Sequence, residues 1–297
     1  MNKLKKKNIS RIGLFLAAFL WGVSFVLMKN VLTNVPPFYV LAIRFCGAAL
    51  ILLPACIGKL KKLDKSYLFG GMIMGLALLL SYVFQTYGLR LTTPGKNAFL
   101  TSAYCVIAPF LFWVYKRKRP DRYNVIAAFM CLLGIGLISL DGDLRIGAGD
   151  ALTLGGGFFF AVHIVVIEKF IEGRDPVALA MLQFASAGIL ALFSAIIMEP
   201  LPSLATASDI WSLVFLTVIC TALCLLLQVF GQKYTPPSQA AIIMTLESVL
   251  GAVTSVIVLH EVLTLRLIAG FVLTFAAVII SETKLGFLKK TQSKYSS

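Results

Sequence analysis

The chain has 297 residues, of which 59% are hydrophobic and 13% charged, and its mean hydropathy is +0.91. A soluble domain of this size carries about a quarter charged residues, so this composition excludes a soluble globular protein and calls for lipid as the solvent. The net charge of +14 does not point to nucleic acid, because the basic residues come in short runs between apolar segments, as in cytoplasmic membrane loops.

A membrane-spanning helix needs about 20 apolar residues. The N-terminus is basic, MNKLKKKNISR, and the apolar run behind it continues to Val31. That is too long for the core of a signal peptide, so a retained first helix is expected over Arg11–Thr33. It carries Trp21, Ser24 and, near its end, Lys29. The second span, Pro36–Ile57, holds Arg44, and the third, Ser66–Leu89, holds a Gly71-x-x-x-Gly75 close-approach face followed by Tyr82 and Gln85. The fourth, Pro94–Tyr115, carries Asn97, Thr101, Ser102 and Tyr104. A fifth span is expected over Asp121–Leu140 with Gly134-x-Gly136. The sixth, Ala148–Phe170, contains Gly155-Gly156-Gly157, His163 and Glu168. No Gly-Lys-Ser/Thr follows the triple glycine, so it is read as loose packing or a hinge and not as a phosphate loop. The seventh to tenth spans are expected over Val177–Met198, Ser208–Gln232, Pro236–Leu259 and Thr264–Leu285, with Gln228 in the eighth and Glu247 in the ninth. Prolines open several of them, where the missing N–H is no loss. The six cysteines all fall inside apolar segments without metal-site spacing and read as packing residues.

The chain is duplicated. Sliding by 143 residues places Gln85 on Gln228, Gly88 on Gly231, Thr92 on Thr235, Pro94 on Pro237 and Ala98 on Ala241. Sliding by 139 places Pro37 on Pro176, Phe45 on Phe184, Ser24 on His163 and Arg44 on Gln183. The difference implies a four-residue insertion between Phe184 and Cys224. Two halves are expected, 1–145 and 146–290, followed by a cytoplasmic tail, 291–297. Five helices per half is an odd number, so the second half enters the membrane upside down. The fold expected is therefore an all-α integral membrane protein of ten transmembrane helices in two inverted five-helix repeats.

Orientation follows from the loops. Of the 27 Lys and Arg, only Arg90, Lys96, Arg145 and Arg266 fall in one set of loops, and all but two of the rest fall in the other, which contains both termini. Both termini are expected in the cytoplasm. Labels applied from outside should reach positions near Asn34, Asp143 and Ser203, and not Lys62 or Lys118. The end of the third helix, Gln85-x-x-Gly88, then lies outside, and its mate, Gln228-x-x-Gly231, inside.

Ionisable groups within spans are functional candidates by default. Glu247 lies eleven residues past Pro236, roughly 17 Å along a helix, near the midplane. It is either a substrate contact and proton carrier or a structural carboxylate tied to neighbouring hydroxyls. His163 is either a proton relay or solute contact, or a satisfied core residue. Arg44 is expected to snorkel or to hold a carbonyl or acidic partner, in a structural role; Lys29 and Glu168 are expected to reach the interface. The polar groups of the third, fourth, eighth and ninth helices suggest a cavity. Together the candidate substrate-binding residues are Trp21, Ser24, Tyr82, Gln85 and Asn97 from the first half. Thr101 and Tyr104 join them, with His163, Gln228 and Glu247 from the second, Glu247 and His163 being the candidates for proton coupling. No nucleophile–base–orienter set and no metal cluster is visible, so neither catalysis nor a cofactor is expected.

The chain resembles the EamA-type family of the drug/metabolite transporter superfamily. The matching stretches are WGVSFVLMK, PPFYVLAIRF, GLRLTTPGKNAFLTSAYCVIAPF, GDALTLGGGFFFAVHIVVIEKF, DPVALAMLQF and GQKYTPPSQAAIIMTLESVLGAV running into HEVLTLRLIAG, and they reach from Ile12 to Glu282. The resemblance implies ten helices in two inverted halves, with a central cavity lined mainly by helices one, three, four, six, eight and nine. Many members look like exporters of amino acids or other small metabolites. This sequence has Leu246-Glu247-Ser248 where the family commonly reads Leu-Glu-Pro, so the ninth helix need not kink there. The function expected is a secondary transporter in a bacterial cytoplasmic membrane, exporting small metabolites such as amino acids by alternating access. Uptake or exchange of a nucleoside or sugar derivative is the alternative, and a non-transporting scaffold the reading from another class. Its expected partners are a small-molecule substrate and the bilayer, with no nucleic acid.

Overall fold

The computed structural model describes residues 3–58, 64–117, 119–139, 146–202, 206–234 and 237–284. Thr235 and Pro236, and the loop positions Lys62, Lys118, Asp143, Arg145 and Ser203, lie outside the described residues, as does the tail 291–297. The elements are α1 (Lys3–Val31), α2 (Pro37–Cys56), α3 (Lys65–Leu91), α4 (Pro94–Thr101), α5 (Tyr104–Lys116) and α6 (Arg122–Ser139). The second half contains α7 (Ala148–Ile171), α8 (Pro176–Met198), α9 (Ala207–Phe215), a π-helical segment (Leu216–Leu223), α10 (Cys224–Tyr234), α11 (Pro237–Leu259) and α12 (Leu265–Thr283).

These elements make ten membrane spans. Eight are long apolar helical stretches, and the ninth and tenth include the shorter apolar stretches Ile243–Leu259 and Leu265–Ser281. The fourth span is α4 and α5 together, and the eighth is α9, the π-helical segment and α10. Helix starts follow from the sequence: Pro37, Pro94 and Pro176 occupy first turns, and Thr93 and Asp175 accept backbone N–H groups as caps. Phe129, Leu132, Leu133, Phe193, Ile196 and Ile197 are all exposed large apolar side chains. An aqueous protein does not carry such a belt, whereas lipid accepts it.

The packing is that of an inverted duplication. α3 lies along α7 as α10 lies along α1; α3 meets α8 as the π-helical segment meets α2; and α11 meets α1 as α5 meets α7. The pairs α2–α8, α6–α12 and α4–α11 map onto themselves. Phe45 and Phe184, mates in the repeat, stack with ring centroids 6.4 Å apart in the buried core where α2 meets α8.

Two local expectations are corrected. The triple glycine is neither loose nor a hinge: α7 is continuous, and a Cβ on Gly156 would come within 2.9 Å of the Gln85 backbone nitrogen, and one on Gly157 within 3.1 Å of the Thr101 carbonyl. Those glycines let the backbones of α3 and α4 approach α7. The fourth span is not one helix either, since a tight turn at Ser102–Ala103 divides α4 from α5; Ala103 N–H turns back to the Leu100 carbonyl at 3.3 Å. α11, by contrast, runs unbroken past Ser248, whose hydroxyl donates to the Thr245 carbonyl at 2.7 Å.

Gly75 is the tightest crossing. A Cβ there would overlap the Ser186 hydroxyl and lie 2.6 Å from the Gln183 carbonyl of α8. Gly75→Val should therefore force α3 and α8 apart and cost about 1–3 kcal/mol. Thermal unfolding of the purified variant in detergent measures this; an unchanged midpoint would mean the crossing relaxes freely.

Candidate functional site

A cavity of about 760 Å³, counting the space open to solvent, lies between the two halves. Nine of the ten residues singled out from the sequence line it. Trp21 and Ser24 come from α1, Tyr82 and Gln85 from α3, Thr101 from α4 and Tyr104 from α5. His163 comes from α7, Gln228 from α10 and Glu247 from α11. Asn97 stands apart: its amide nitrogen donates to the Gln85 carbonyl at 3.1 Å and to the Thr153 hydroxyl at 2.7 Å, tying α4 to α3 and α7.

Helix periodicity explains the convergence. Ser24 lies three residues after Trp21 and Gln85 three after Tyr82, so each pair shares a helix face; Thr101 and Tyr104 flank the turn between α4 and α5. The lining is held by internal bonds. The Trp21 indole N–H donates to the Cys220 carbonyl at 2.7 Å, inside the π-helical segment, and the Gln85 side-chain amide donates to the Thr101 hydroxyl at 3.2 Å. His163 Nε2 pairs with Gln183 Oε1 at 3.0 Å, and Tyr104 shares a hydrogen bond with Glu247. Both His163 and Glu247 are buried. An aromatic wall completes the cavity: Tyr82 meets Phe160 edge-on at 5.2 Å, and Tyr104 meets Phe160 at 6.2 Å. Such a mixture of aromatic surface and few polar groups suits a small amphipathic solute.

Arg44 was expected in a structural role, snorkelling or holding a partner. It does not snorkel: it is 3% exposed and lines the same cavity. Phe160 and Met244 also line it without having been singled out. Met244 was legible as the repeat mate of Thr101, already a candidate, whereas Phe160 is one of three consecutive phenylalanines and nothing in the sequence separates it from its neighbours.

At the end of the molecule that carries Arg90 and Lys96, five spans are joined by polar bonds. The Lys29 ammonium of α1 donates to the carbonyls of Leu89 at 2.8 Å, Arg90 at 3.1 Å and Thr92 at 2.8 Å, where α3 ends. Lys29 thus binds a helix C-terminus, where a cation is favoured, instead of simply reaching the interface. Asp150 of α7 accepts from the Thr92 hydroxyl and pairs with Lys96. Glu261, beyond α11, accepts from the Thr93 and Ser255 hydroxyls and from the Gly95 N–H at the start of α4. At the opposite end, the Ser10 hydroxyl donates to the Gly231 carbonyl at 2.9 Å, linking α1 to α10. Glu168, as expected, is at the surface, paired with Lys116.

This arrangement of duplicated halves around a cavity has known counterparts. Residues 9–140 and 147–283 each match the EamA-like transporter family. An uncharacterized transporter of Archaeoglobus fulgidus is 32% identical over 282 residues, 93% of this chain and 87% of the relative. The uncharacterized transporter YvbV of Bacillus subtilis is 27% identical over 293 residues, 96% of this chain and 94% of the relative. A solved crystal structure superposes with a TM-score of 0.67 at 16% identity, over 93% of this chain and 96% of that one, which establishes likeness of fold. The chain belongs to the EamA-like transporter family, and it is a multi-pass membrane transporter of that type.

Proposed function

We propose that this transporter exports small metabolites, amino acids foremost, across a bacterial cytoplasmic membrane by alternating access. Residues 1–145 and 146–290 act as the two halves and both termini lie in the cytoplasm. The observation that carries this reading is a cavity lined by both halves, polar at Ser24, Gln85, Gln228 and Glu247 and aromatic at Trp21 and Phe160. A scaffold has no need of such a chamber between symmetry-related halves. A purified-protein thermal-shift screen against amino acids, nucleosides and sugars tests the solute class. Stabilisation by amino acids alone is expected, and stabilisation only by nucleosides or sugars would overturn the amino-acid reading.

The orientation is tested by labelling single cysteines from outside, in a background without the native six. A cysteine at Asn34, in the turn after α1, should react in intact cells. One at Arg117, exposed beyond α5 in a basic loop, should react only after permeabilisation. Reaction at Arg117 in intact cells would reverse the assigned topology.

A further inference from the structure

Arg44 carries a buried positive charge whose contacts on the protein are neutral. Its Nε–H donates to the Thr221 hydroxyl at 3.0 Å, Nη1 faces Met28 Sδ at 3.8 Å, and the guanidinium lies 4.9 Å from the centroid of the Tyr82 ring. None of the ion pairs Lys96–Asp150, Lys116–Glu168 and Lys284–Asp121 involves Arg44. A buried cation without a counter-ion is strongly unfavourable unless something else supplies the negative charge.

The repeat indicates that the charge is not there for packing. Gln183 occupies the matching position of the second half and ties α8 to α7 through His163 at 3.0 Å. A neutral amide is enough for that tie. Arg44 is also held in place. In the π-helical segment the Thr221 hydroxyl donates to the Leu216 carbonyl at 2.8 Å, so its lone pair is turned toward the Arg44 Nε–H. Thr221 and Met28 take two of the five guanidinium donors; Nη2 and the second N–H of Nη1 remain, a pair that can receive a carboxylate through two parallel bonds at the cavity that Arg44 lines.

We propose that Arg44 binds the carboxylate of the transported solute, and that the solute is a zwitterionic amino acid with an apolar side chain lying against Tyr82 and Phe160. Glu247, in the same cavity, faces the ammonium group. A dianionic phosphate ester would meet that carboxylate and be repelled. The proposal rests on the transport reading above and narrows its solute.

The test is competition for counterflow in proteoliposomes of the full chain, with L-phenylalanine and L-leucine against their amides, which keep the ammonium but lack the carboxylate. The wild type should prefer each acid over its amide about ten-fold or more. Arg44→Gln should bring the acids down to the level of the amides and leave the amides unchanged. Arg44→Lys should restore part of the preference, since it keeps the charge and loses the fork. Should Arg44→Gln not fold, Thr221→Val tests the same point by removing the orienting hydroxyl, and it should also lower the acids selectively. Equal affinity for acid and amide in the wild type, or an intact preference in Arg44→Gln or Thr221→Val, would overturn the proposal. If amino acids fail to compete while 3-phenylpropionate competes in an Arg44-dependent way, the carboxylate role survives and the amino-acid solute falls. If only uridine or glucose 6-phosphate competes, the role of Arg44 falls and transport stands.

Discussion

Glu247→Gln should reduce transport driven by a pH gradient to the rate measured with no gradient, while exchange of solute for solute continues. The substitution keeps the size of the side chain and much of its hydrogen bonding, including a partner for Tyr104, but removes the ability to take up and release a proton. Glu247 is buried near the middle of α11 and lines the cavity together with His163 of α7. An ionisable group at that depth is costly, and such groups mark substrate or proton pathways. His163, whose ring is held by Gln183, is proposed to bind solute or pass the proton. His163→Gln should therefore weaken both solute affinity and pH-driven flux. Wild-type pH-driven flux in Glu247→Gln would make the carboxylate a tie between α11 and α5 and leave transport uncoupled from protons.

Joining the outer ends of the spans should stop net flux in proportion to the fraction joined. Thr93, before α4, and Glu261, after α11, are in direct contact. Cysteines at these positions, in a background lacking the native six, can be joined by a short bismaleimide. With the outer ends held together the cavity cannot open to the outside, and alternating access fails. Lys29, Asp150 and Glu261 bond these same ends without covalent links, so the ends already meet through polar contacts. Undiminished flux in the fully joined protein would remove the rocking mechanism. Reaction of only one of the two cysteines serves as the control for alkylation alone.

Much of this architecture is legible in the sequence, for identifiable reasons. The apolar runs, the odd number of spans per half and the paired motifs leave little freedom in the fold, because lipid admits only helices with their backbone bonds closed. The cavity residues were legible where two polar groups lay three residues apart on one apolar helix, as Tyr82 and Gln85 do. The partners of Asn97 were not legible, because its position in the repeat does not reveal which neighbours its amide nitrogen meets; Gln85 and Thr153 take it. The direction of Arg44 was not legible because depth along a helix does not say whether a long side chain turns toward lipid or toward the centre. The π-helical segment was hidden as well, although it falls within the Phe184–Cys224 window where the two repeat offsets differ by four residues. A π turn takes in an extra residue without breaking the helix, so hydropathy is blind to it. The bonds of Lys29, Asp150 and Glu261 depend on which helix ends meet, which no single span records.

Solute counterflow in proteoliposomes tests the central claim most directly, since it requires a binding site that is exposed to each side in turn and needs no assumption about the coupling ion. Liposomes loaded with unlabelled amino acid and diluted into a trace of the labelled form should accumulate label transiently, and only when they contain the protein. Accumulation should vanish when Thr93 and Glu261 are joined across the outer ends. No accumulation with amino acids, nucleosides or sugars, from protein that is folded and correctly inserted, would contradict the account.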